Sequence, residues 1–320
     1  MRVTAINLLL ATDLRTKSDA ALSRGAMLGR HLASELTLVH IVSTRSSAKS
    51  LDERVHDAMR RIQSLAHHPR WSGQTPPHTL IRAGVPEHAI VEALTDLHPS
   101  LLVLGPHEDR GSGDRLARLF GTTVAARALS ARICPVLIVR EPPRHAYRRL
   151  LLALDLSSNA EDVVRAAESL VMDADADASV LHAFDQPYLG SVEYLDAGRG
   201  MSARYRGLWQ SQATTAVRAL LRRSSGDFSR YGIQLEDDPP VGAILHAVNQ
   251  QEPDLLVMGT SGRGSWRRAL LGSVANDVLS QVWCDTLIVP QGTFQRVFTP
   301  QSRVARLPTR RGRLSRYPTH

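Results

Sequence analysis

The sequence predicts an α/β protein with two doubly wound parallel-sheet domains. Three observations support this: the chain repeats itself, its short apolar runs are continuous, and these runs alternate with amphipathic stretches. Continuous apolar runs are typical of parallel strands that are covered on both faces. Alternation of such strands with amphipathic helices indicates a parallel sheet with helices packed on both sides.

The internal repeat has four segments that recur in the same order. The matched pairs are residues 7–14 with 149–156, 36–41 with 178–183, 100–105 with 254–259, and 134–139 with 284–289. Asp13 and Asp155 are 142 positions apart, and so are His40 and His182. A repeat of this size predicts two copies of one structural unit. The polar, proline-containing segment 141–145 is the stiff linker between them.

Each amphipathic stretch predicts a crossover helix. The predicted helices are 18–34, 86–97 and 121–131 in the first half, and 159–172, 241–251 and 272–282 in the second. Ser157, Ser158 and Asn159 offer N-cap side chains to the first helix of the second half. Residues 185–208 are expected to form a long connection. The resulting divisions are domain 1 (1–143), domain 2 (146–291) and a C-terminal tail (292–320).

Composition favours a folded protein. A chain of 320 residues holds about two domains, and 43% apolar with 22% charged residues is typical of globular rather than disordered chains. No apolar run approaches the ~18 residues of a membrane span, and the N-terminal apolar stretch is too short for a signal peptide. Two cysteines exclude a disulfide framework and a cysteine-based zinc cluster. We therefore expect a cytoplasmic protein.

The net charge of +8 is concentrated in the tail. Residues 292–320 contain seven arginines and no acidic residue, so the rest of the chain is almost neutral. We expect this tail to be disordered. It is either a solvated extension or a weak anchor for nucleic acid or anionic lipid.

The sharpest functional signal follows the apolar run that ends at Met258. Residues 259–262 read Gly-Thr-Ser-Gly, and after nine intervening residues Gly272-Ser273 opens a predicted helix. Glycines let backbone N–H groups approach a phosphate closely, and a helix N-terminus adds unpaired N–H groups with a positive partial charge. Arg263 adds a full charge, and the Ser273 hydroxyl adds a donor. The alternative is an ordinary loop with turn glycines and a serine cap.

Signature motifs of several enzyme classes do not occur in the sequence. It has no GK[ST] phosphate loop, no complete dinucleotide fingerprint, no G-x-S-x-G nucleophile elbow and no HExxH zinc motif. No motif pairs a nucleophile with a base. The sequence therefore favours a binding protein over an enzyme.

The G-x2-G-x9-G-S spacing, preceded by a strand that ends in Asp155, resembles the universal stress protein family. Two such domains in one chain resemble its tandem members, and the resemblance covers residues 3–140 and 147–290. It implies flavodoxin-like or Rossmann-like domains with strand order 3-2-1-4-5, arranged as a pseudo-two-fold pair. It also implies ATP as the ligand, with Mg²⁺ as its companion ion.

The resemblance assigns ligand contacts to particular positions. In domain 2 the candidates, together with the basic Arg263, are Asp155, Ala183, Gly259, Gly262, Gly272, Ser273 and Val274. In domain 1 they are Asp13, Ile41, Gly105, Gly111, Gly121 and Thr122. The aspartates and the backbone at 41 and 183 would meet the adenosine part, and the glycines and hydroxyls would hold ribose and phosphates. For each aspartate, capping a helix or a turn is the alternative role.

Domain 1 departs from the pattern. Five residues instead of two separate Gly105 from Gly111, and they include Glu108 and Asp109. Three extra residues extend the chain by up to ~10 Å, whereas a phosphate contact needs N···O near ~3 Å. Domain 2 has its own irregularity, because Asp238 stands where domain 1 has Gly84. We expect domain 2 to be the better nucleotide site.

The leading hypothesis is a cytoplasmic stress-response regulator that binds ATP mainly in domain 2. The alternatives are a tandem scaffold without nucleotide, a slow ATPase, and nucleic-acid contact through residues 292–320. The expected partners are the nucleotide and, within the chain, the other domain. A homodimer of the whole chain is left open.

Overall fold

A computed structural model describes most of both domains. The described residues are 6–14, 20–45, 50–105, 122–171, 176–183, 199–225, 228–260 and 272–294. Gly111, Gly121, Gly262 and Arg263 lie outside these ranges, as do residues 295–320 of the predicted tail.

Domain 1 alternates five strands with four helices within the described residues. They are β1 (Asn7–Ala11), α1 (Ala20–Leu32), β2 (Glu35–Ser43), α2 (Leu51–Ala66), β3 (His78–Gly84), α3 (Pro86–Leu97), β4 (Leu101–Leu104), α4 (Thr122–Ala131) and β5 (Val136–Ile138). Helix α2 was not predicted. It begins with a capping box, in which Ser50 Oγ accepts from Glu53 N–H and Glu53 Oε2 accepts from Ser50 N–H.

Domain 2 repeats this order. Its elements are β6 (Arg149–Ala153), α5 (Ala160–Leu170), β7 (Asp177–Ala183), α6 (Arg199–Ser224), β8 (Tyr231–Glu236), α7 (Pro240–Gln251), β9 (Leu255–Gly259), α8 (Ser273–Leu279) and β10 (Asp285–Val289). The expected connection over 185–208 is corrected, because α6 begins inside it. Residues 207–212 of α6 are exposed around the whole helix, so no apolar stripe marks them in the sequence.

All ten strands form one sheet, in the order β3-β2-β1-β4-β5-β10-β9-β6-β7-β8. The predicted order 3-2-1-4-5 and the parallel pairing are therefore confirmed in each domain. The domains meet where β5 and β10 pair antiparallel, with Leu137 opposite Leu287. This pairing confirms the predicted pseudo-two-fold arrangement. It also places the carboxyl ends of the domain 1 strands and of the domain 2 strands at opposite edges of the sheet.

The core has two apolar layers, one on each face of the sheet. Leu8 of β1 and Leu150 of β6 lie in one cluster, whereas the next residues, Leu9 and Leu151, lie in the other. All four side chains are at most 3% exposed. Because the sheet runs through both domains, each layer is continuous between them.

A polar cluster is buried at the junction of the two domains. Asp285, which opens β10, accepts hydrogen bonds from the Tyr147 hydroxyl at 2.7 Å and from Arg140 N–H at 2.8 Å. Arg24 Nε of α1 lies 3.3 Å from the same carboxylate, and its guanidinium is 3.9 Å from the centre of the Tyr147 ring. Burial raises the pKa of the Tyr147 hydroxyl, so it stays protonated and donates. In the internal repeat, the position equivalent to Asp285 is Pro135, which has no carboxylate. The cluster therefore has no counterpart in domain 1 and breaks the two-fold symmetry.

The chain continues to pack beyond β10. Thr293 Oγ1 donates to the Pro290 carbonyl at 2.7 Å, and Phe294 is 8% exposed within the core. Thr293 and Phe294, which the sequence assigned to the tail, therefore pack against domain 2. Among the helices of the described ranges, none combines the length and the apolar composition needed to cross a membrane.

Replacing Asp285 with alanine is expected to destabilise the protein strongly. It leaves the Arg24 charge buried without its carboxylate, which costs about 3–5 kcal/mol for a buried ion pair. Urea denaturation of D285A measures the loss. Asp177→Ala, at the exposed first position of β7, is the matched control and should change the unfolding free energy by less than ~0.5 kcal/mol. A similar small loss for D285A would contradict the role of the cluster.

Both thiols are expected to be inert in the folded protein. Cys134 and Cys284 are 1% and 4% exposed, and burial raises the pKa of each thiol to about 12. The reactive thiolate is therefore scarce at pH 8. Titration with a soluble aromatic disulfide should detect both thiols only after denaturant is added. Reaction of either cysteine within minutes in native buffer would show that the core opens more readily than this packing implies.

Candidate functional site

The predicted site residues of domain 2 that the structure describes converge at one edge of the sheet. Asp155 follows β6 by two residues, Ala183 ends β7, and Gly259 ends β9. Since β6 pairs with both β7 and β9, these three positions are neighbours at the carboxyl ends of parallel strands. Gly272 joins them because its N–H donates to the Thr260 carbonyl at 3.1 Å. This edge is where doubly wound sheets bind their ligands.

Asp155 belongs to a tight turn between β6 and α5. Its Oδ1 accepts from Ser157 N–H at 3.1 Å, so the predicted alternative role in a turn is real. Its Oδ2 is buried, and no hydrogen-bond partner for it lies among the described residues. Leu156 between them has φ of 55°, a left-handed conformation that costs a non-glycine residue about 1 kcal/mol. The turn thus holds the carboxylate in place and leaves one acceptor oxygen over.

A histidine supports this turn in each domain. His182 Nδ1 lies 2.7 Å from the Leu154 carbonyl, and His40 Nδ1 lies 2.8 Å from the Thr12 carbonyl. Because a carbonyl oxygen only accepts, Nδ1 carries the proton in both rings. Each ring therefore fixes the peptide that directly precedes the aspartate.

The two described glycines of the domain 2 motif, Gly259 and Gly272, are packed against protein atoms. A methyl group on Gly259 would lie 2.8 Å from Asn159 Nδ2, and one on Gly272 would lie 2.6 Å from the Thr260 carbonyl oxygen. The sequence argument assigned these glycines to close approach of a phosphate. At these two positions, the space that a side chain would fill is taken by the protein itself. Ser273 and Val274 follow as the first residues of α8.

Asn159 has a position that the sequence argument did not foresee. It was predicted to cap α5, but its backbone is helical and its side chain makes no capping bond. Instead, Nδ2 donates to the Val289 carbonyl at 2.8 Å, at the end of β10. Asparagine in a first helical turn normally signals a cap, so the sequence contained no sign of this contact.

Domain 1 arranges the same turn differently. Asp13 is exposed, and Leu14 N–H donates to Thr12 Oγ1 at 3.1 Å. The threonine therefore supports the turn of β1, where Asp155 does so in domain 2. Ile41 and Gly105 are half-buried near the carboxyl ends of β2 and β4. Thr122 begins α4, but its side chain lies outside the described part of the chain.

The irregular residue at the end of β8 points to solvent. Helices α3 and α7 begin at the equivalent prolines, Pro86 and Pro240, which places Asp238 opposite Gly84 as the repeat predicted. Asp238 is exposed, whereas Gly84 is half-buried and has the Ala89 methyl 3.3 Å from its missing side chain.

Comparison with known sequences agrees with this fold. The sequence profile of the Universal stress protein family matches residues 6–140 and, separately, 146–290. The chain belongs to the universal stress protein family. Its two matched regions, which together cover most of the chain, make it a tandem universal stress protein.

Individual relatives of this tandem universal stress protein match about half of it. Universal stress protein A of Photorhabdus laumondii is 30% identical over 148 residues, covering 45% of this chain and 96% of the relative. A universal stress protein of Methanocaldococcus jannaschii is 22% identical over 144 residues, covering 45% of this chain and 82% of the relative.

A solved structure matches both domains at once. A universal stress protein of Archaeoglobus fulgidus covers 90% of this chain and 97% of its own, with 16% identity and a TM-score of 0.62. A functionally unknown protein of Pseudomonas aeruginosa covers 89% of this chain and 92% of its own, with 16% identity and a TM-score of 0.55. At these identities the likeness shows the shared fold.

Gly272→Ala is expected to destabilise domain 2, because its methyl group would meet a backbone oxygen at 2.6 Å. Such overpacking typically lowers the free energy of unfolding by about 1–3 kcal/mol. Differential scanning calorimetry measures the corresponding fall in Tm. Gly242→Ala in α7 is the control, since nothing lies within 4 Å of its added methyl. That control should hold or raise Tm because alanine is the better helix former. Equal Tm values for G272A and the parent would contradict the close approach.

Proposed function

We propose that this tandem universal stress protein binds ATP with Mg²⁺, mainly in domain 2, and acts as a cytoplasmic regulator. The observation that carries the proposal is the spare Oδ2 of Asp155, buried at the carboxyl edge of β6. A buried acceptor without a donor costs about 1–3 kcal/mol. A ligand that supplies a donor there removes this cost on binding. The ribose hydroxyls and the amino group of adenosine are such donors.

The remaining ligand contacts are distributed along the same edge. We assign the adenosine part to Asp155 and to the backbone of Ala183, which are carried by neighbouring strands. We assign ribose and phosphates to the loop that leaves β9 and returns at α8. Its proposed contacts are Gly259, Gly262, Arg263, Gly272, Ser273 and Val274. The Gly272–Thr260 hydrogen bond holds the two described ends of this loop together, next to the start of α8.

Domain 1 is the weaker site in this proposal. Asp13 is exposed, and the turn before α1 is supported by Thr12 instead. Near the ends of β2 and β3, Arg45 pairs with Glu87 at 3.2 Å, so that arginine already has a carboxylate partner. Nucleotide contacts at Ile41, Gly105, Gly111, Gly121 and Thr122 are therefore proposed as secondary to those of domain 2.

Binding without turnover is the proposed activity. The sequence pairs no nucleophile with a base by motif, and Asp155 is engaged in its own turn through Oδ1. A protein that holds ATP unchanged reports the nucleotide level through its bound state. Slow hydrolysis, a nucleotide-free scaffold, and nucleic-acid contact through residues 295–320 are the competing functions.

Asp155→Asn is expected to raise the Kd for ATP–Mg²⁺ by about tenfold or more, equivalent to about 1.4 kcal/mol. The amide keeps the shape of the side chain but removes its charge and one of its two acceptor oxygens. Isothermal titration calorimetry measures the affinity, and phosphate release from the parent protein tests for hydrolysis.

Asp13→Asn is the matched control for this experiment, because it makes the same change at the equivalent position of domain 1. It should leave the high-affinity Kd unchanged. Failure of the parent protein to bind ATP would overturn the proposed function. An equal loss in both variants would assign the nucleotide to both domains.

A further inference from the structure

We propose that Asn159 is a positioning residue of the domain 2 site, which clamps the Asp155 turn to the start of the glycine loop. This inference rests on the proposed nucleotide site. The clamp is a contact between three elements: the first turn of α5, the end of β9 and the end of β10. No part of it depends on residues that the loop contributes beyond Thr260.

The amide of Asn159 is the centre of this contact. The side chain is 2% exposed, and Nδ2 donates to the Val289 carbonyl at 2.8 Å. Val289 is the last residue of β10 and pairs with Gly259, the last residue of β9. Asn159 therefore adds one more hydrogen bond at the point where the pairing of β9 with β10 ends. This bond attaches the start of α5 to the ends of both strands.

The Asn159 amide leaves no room for a side chain at Gly259. A methyl group there would lie 2.8 Å from Asn159 Nδ2 and 3.8 Å from its Cγ. The amide is buried and hydrogen-bonded, so it has little room to move aside. The first glycine of the loop is thus coupled to the helix that follows Asp155.

Two successive hydrogen bonds connect Asn159 back to the aspartate. Asn159 N–H donates to Ser157 Oγ at 3.3 Å, and Ser157 N–H donates to Asp155 Oδ1 at 3.1 Å. A shift of Asn159 therefore moves the carboxylate that we assign to adenosine. It also moves Gly259, where the phosphate-holding loop begins.

Two observations favour a ligand-related role over simple packing. Asn159 Oδ1 is buried without a hydrogen-bond partner among the described residues, and so is Asp155 Oδ2. Buried acceptors without a hydrogen-bond donor are rare in folded proteins because they cost stability. Where they do occur, another requirement, such as binding or catalysis, outweighs that cost. Here two of them lie four residues apart on the turn that borders the candidate site.

Domain 1 has a different residue at the equivalent position. At the repeat spacing of 142, Lys17 corresponds to Asn159. A lysine ammonium has no acceptor and no flat amide to lie against a glycine. The clamp is therefore specific to domain 2, the domain to which we assign the nucleotide.

A double-mutant cycle tests the clamp. The variants are Asn159→Ala, Gly259→Ala and the double variant, with Kd for ATP–Mg²⁺ measured by calorimetry and Tm by scanning calorimetry. Each single change should weaken binding about tenfold. The double variant should be no weaker than N159A alone, because the added methyl then meets no amide. An additive loss of about a hundredfold, or parent-like affinity in N159A, would overturn the proposal.

Two controls separate positioning from general loss of stability. Leu170→Ala removes a 2% exposed side chain at the far end of α5, and should lower Tm while leaving Kd unchanged. Asn249→Ala changes an exposed asparagine on α7 and should alter neither. A Kd change in L170A equal to that in N159A would reduce the role of Asn159 to stability.

Failure of the proposed function is distinguishable from failure of the clamp. If the parent protein bound no ATP, the function and the ligand part of this inference would both be overturned. The Tm values would still test whether Asn159 and Gly259 are in close contact. G259A should lower Tm in the parent background, and the same change should cost little in the N159A background.

Discussion

The antiparallel pairing of β5 with β10 is the constraint on which the rest of the molecule depends. It joins two five-stranded sheets into one, so the edge strand of each domain is covered by its counterpart instead of being exposed. It makes both apolar layers continuous through the domains. Beside it, Arg24 of domain 1 and Tyr147 and Asp285 of domain 2 add a buried polar contact between the domains. Because the strands are antiparallel at the junction, the two candidate sites lie at opposite edges of the sheet.

The duplication is symmetric in its backbone and asymmetric in its side chains. Both domains place a left-handed leucine after the aspartate, and both use a histidine to hold the preceding carbonyl. The aspartates differ, because Asp155 is engaged in its turn with one oxygen to spare, whereas Asp13 is exposed. The fold was therefore retained in both copies, while the features that favour a ligand are concentrated in domain 2.

The structure gives a different physical reason for the glycines of domain 2 from the one that the sequence suggested. Gly259 is required by the Asn159 amide, and Gly272 by the Thr260 carbonyl oxygen. These glycines therefore shape the base of the loop through contacts within the protein. A sequence motif that is typical of a ligand-binding site can thus indicate the packing that supports the site as well as the residues that contact the ligand. This distinction decides which substitutions disturb binding directly and which act through the packing beneath it.

The repeat, the parallel strands and most helix positions were predictable from the sequence alone. So was the placement of Asp155, Ala183 and Gly259 at strand ends. These features have local signals, because a strand end or a helix face is encoded by residues close together in the chain. Only the tertiary structure decided the partners of Asn159 and Asp285, since Val289 and Arg24 are distant in sequence and no periodicity connects them. It also revealed where α6 begins and ends, because residues 207–212 of this helix are exposed on all sides and carry no apolar stripe. Contacts between distant residues depend on how whole elements pack, and that information lies in no single segment of the sequence.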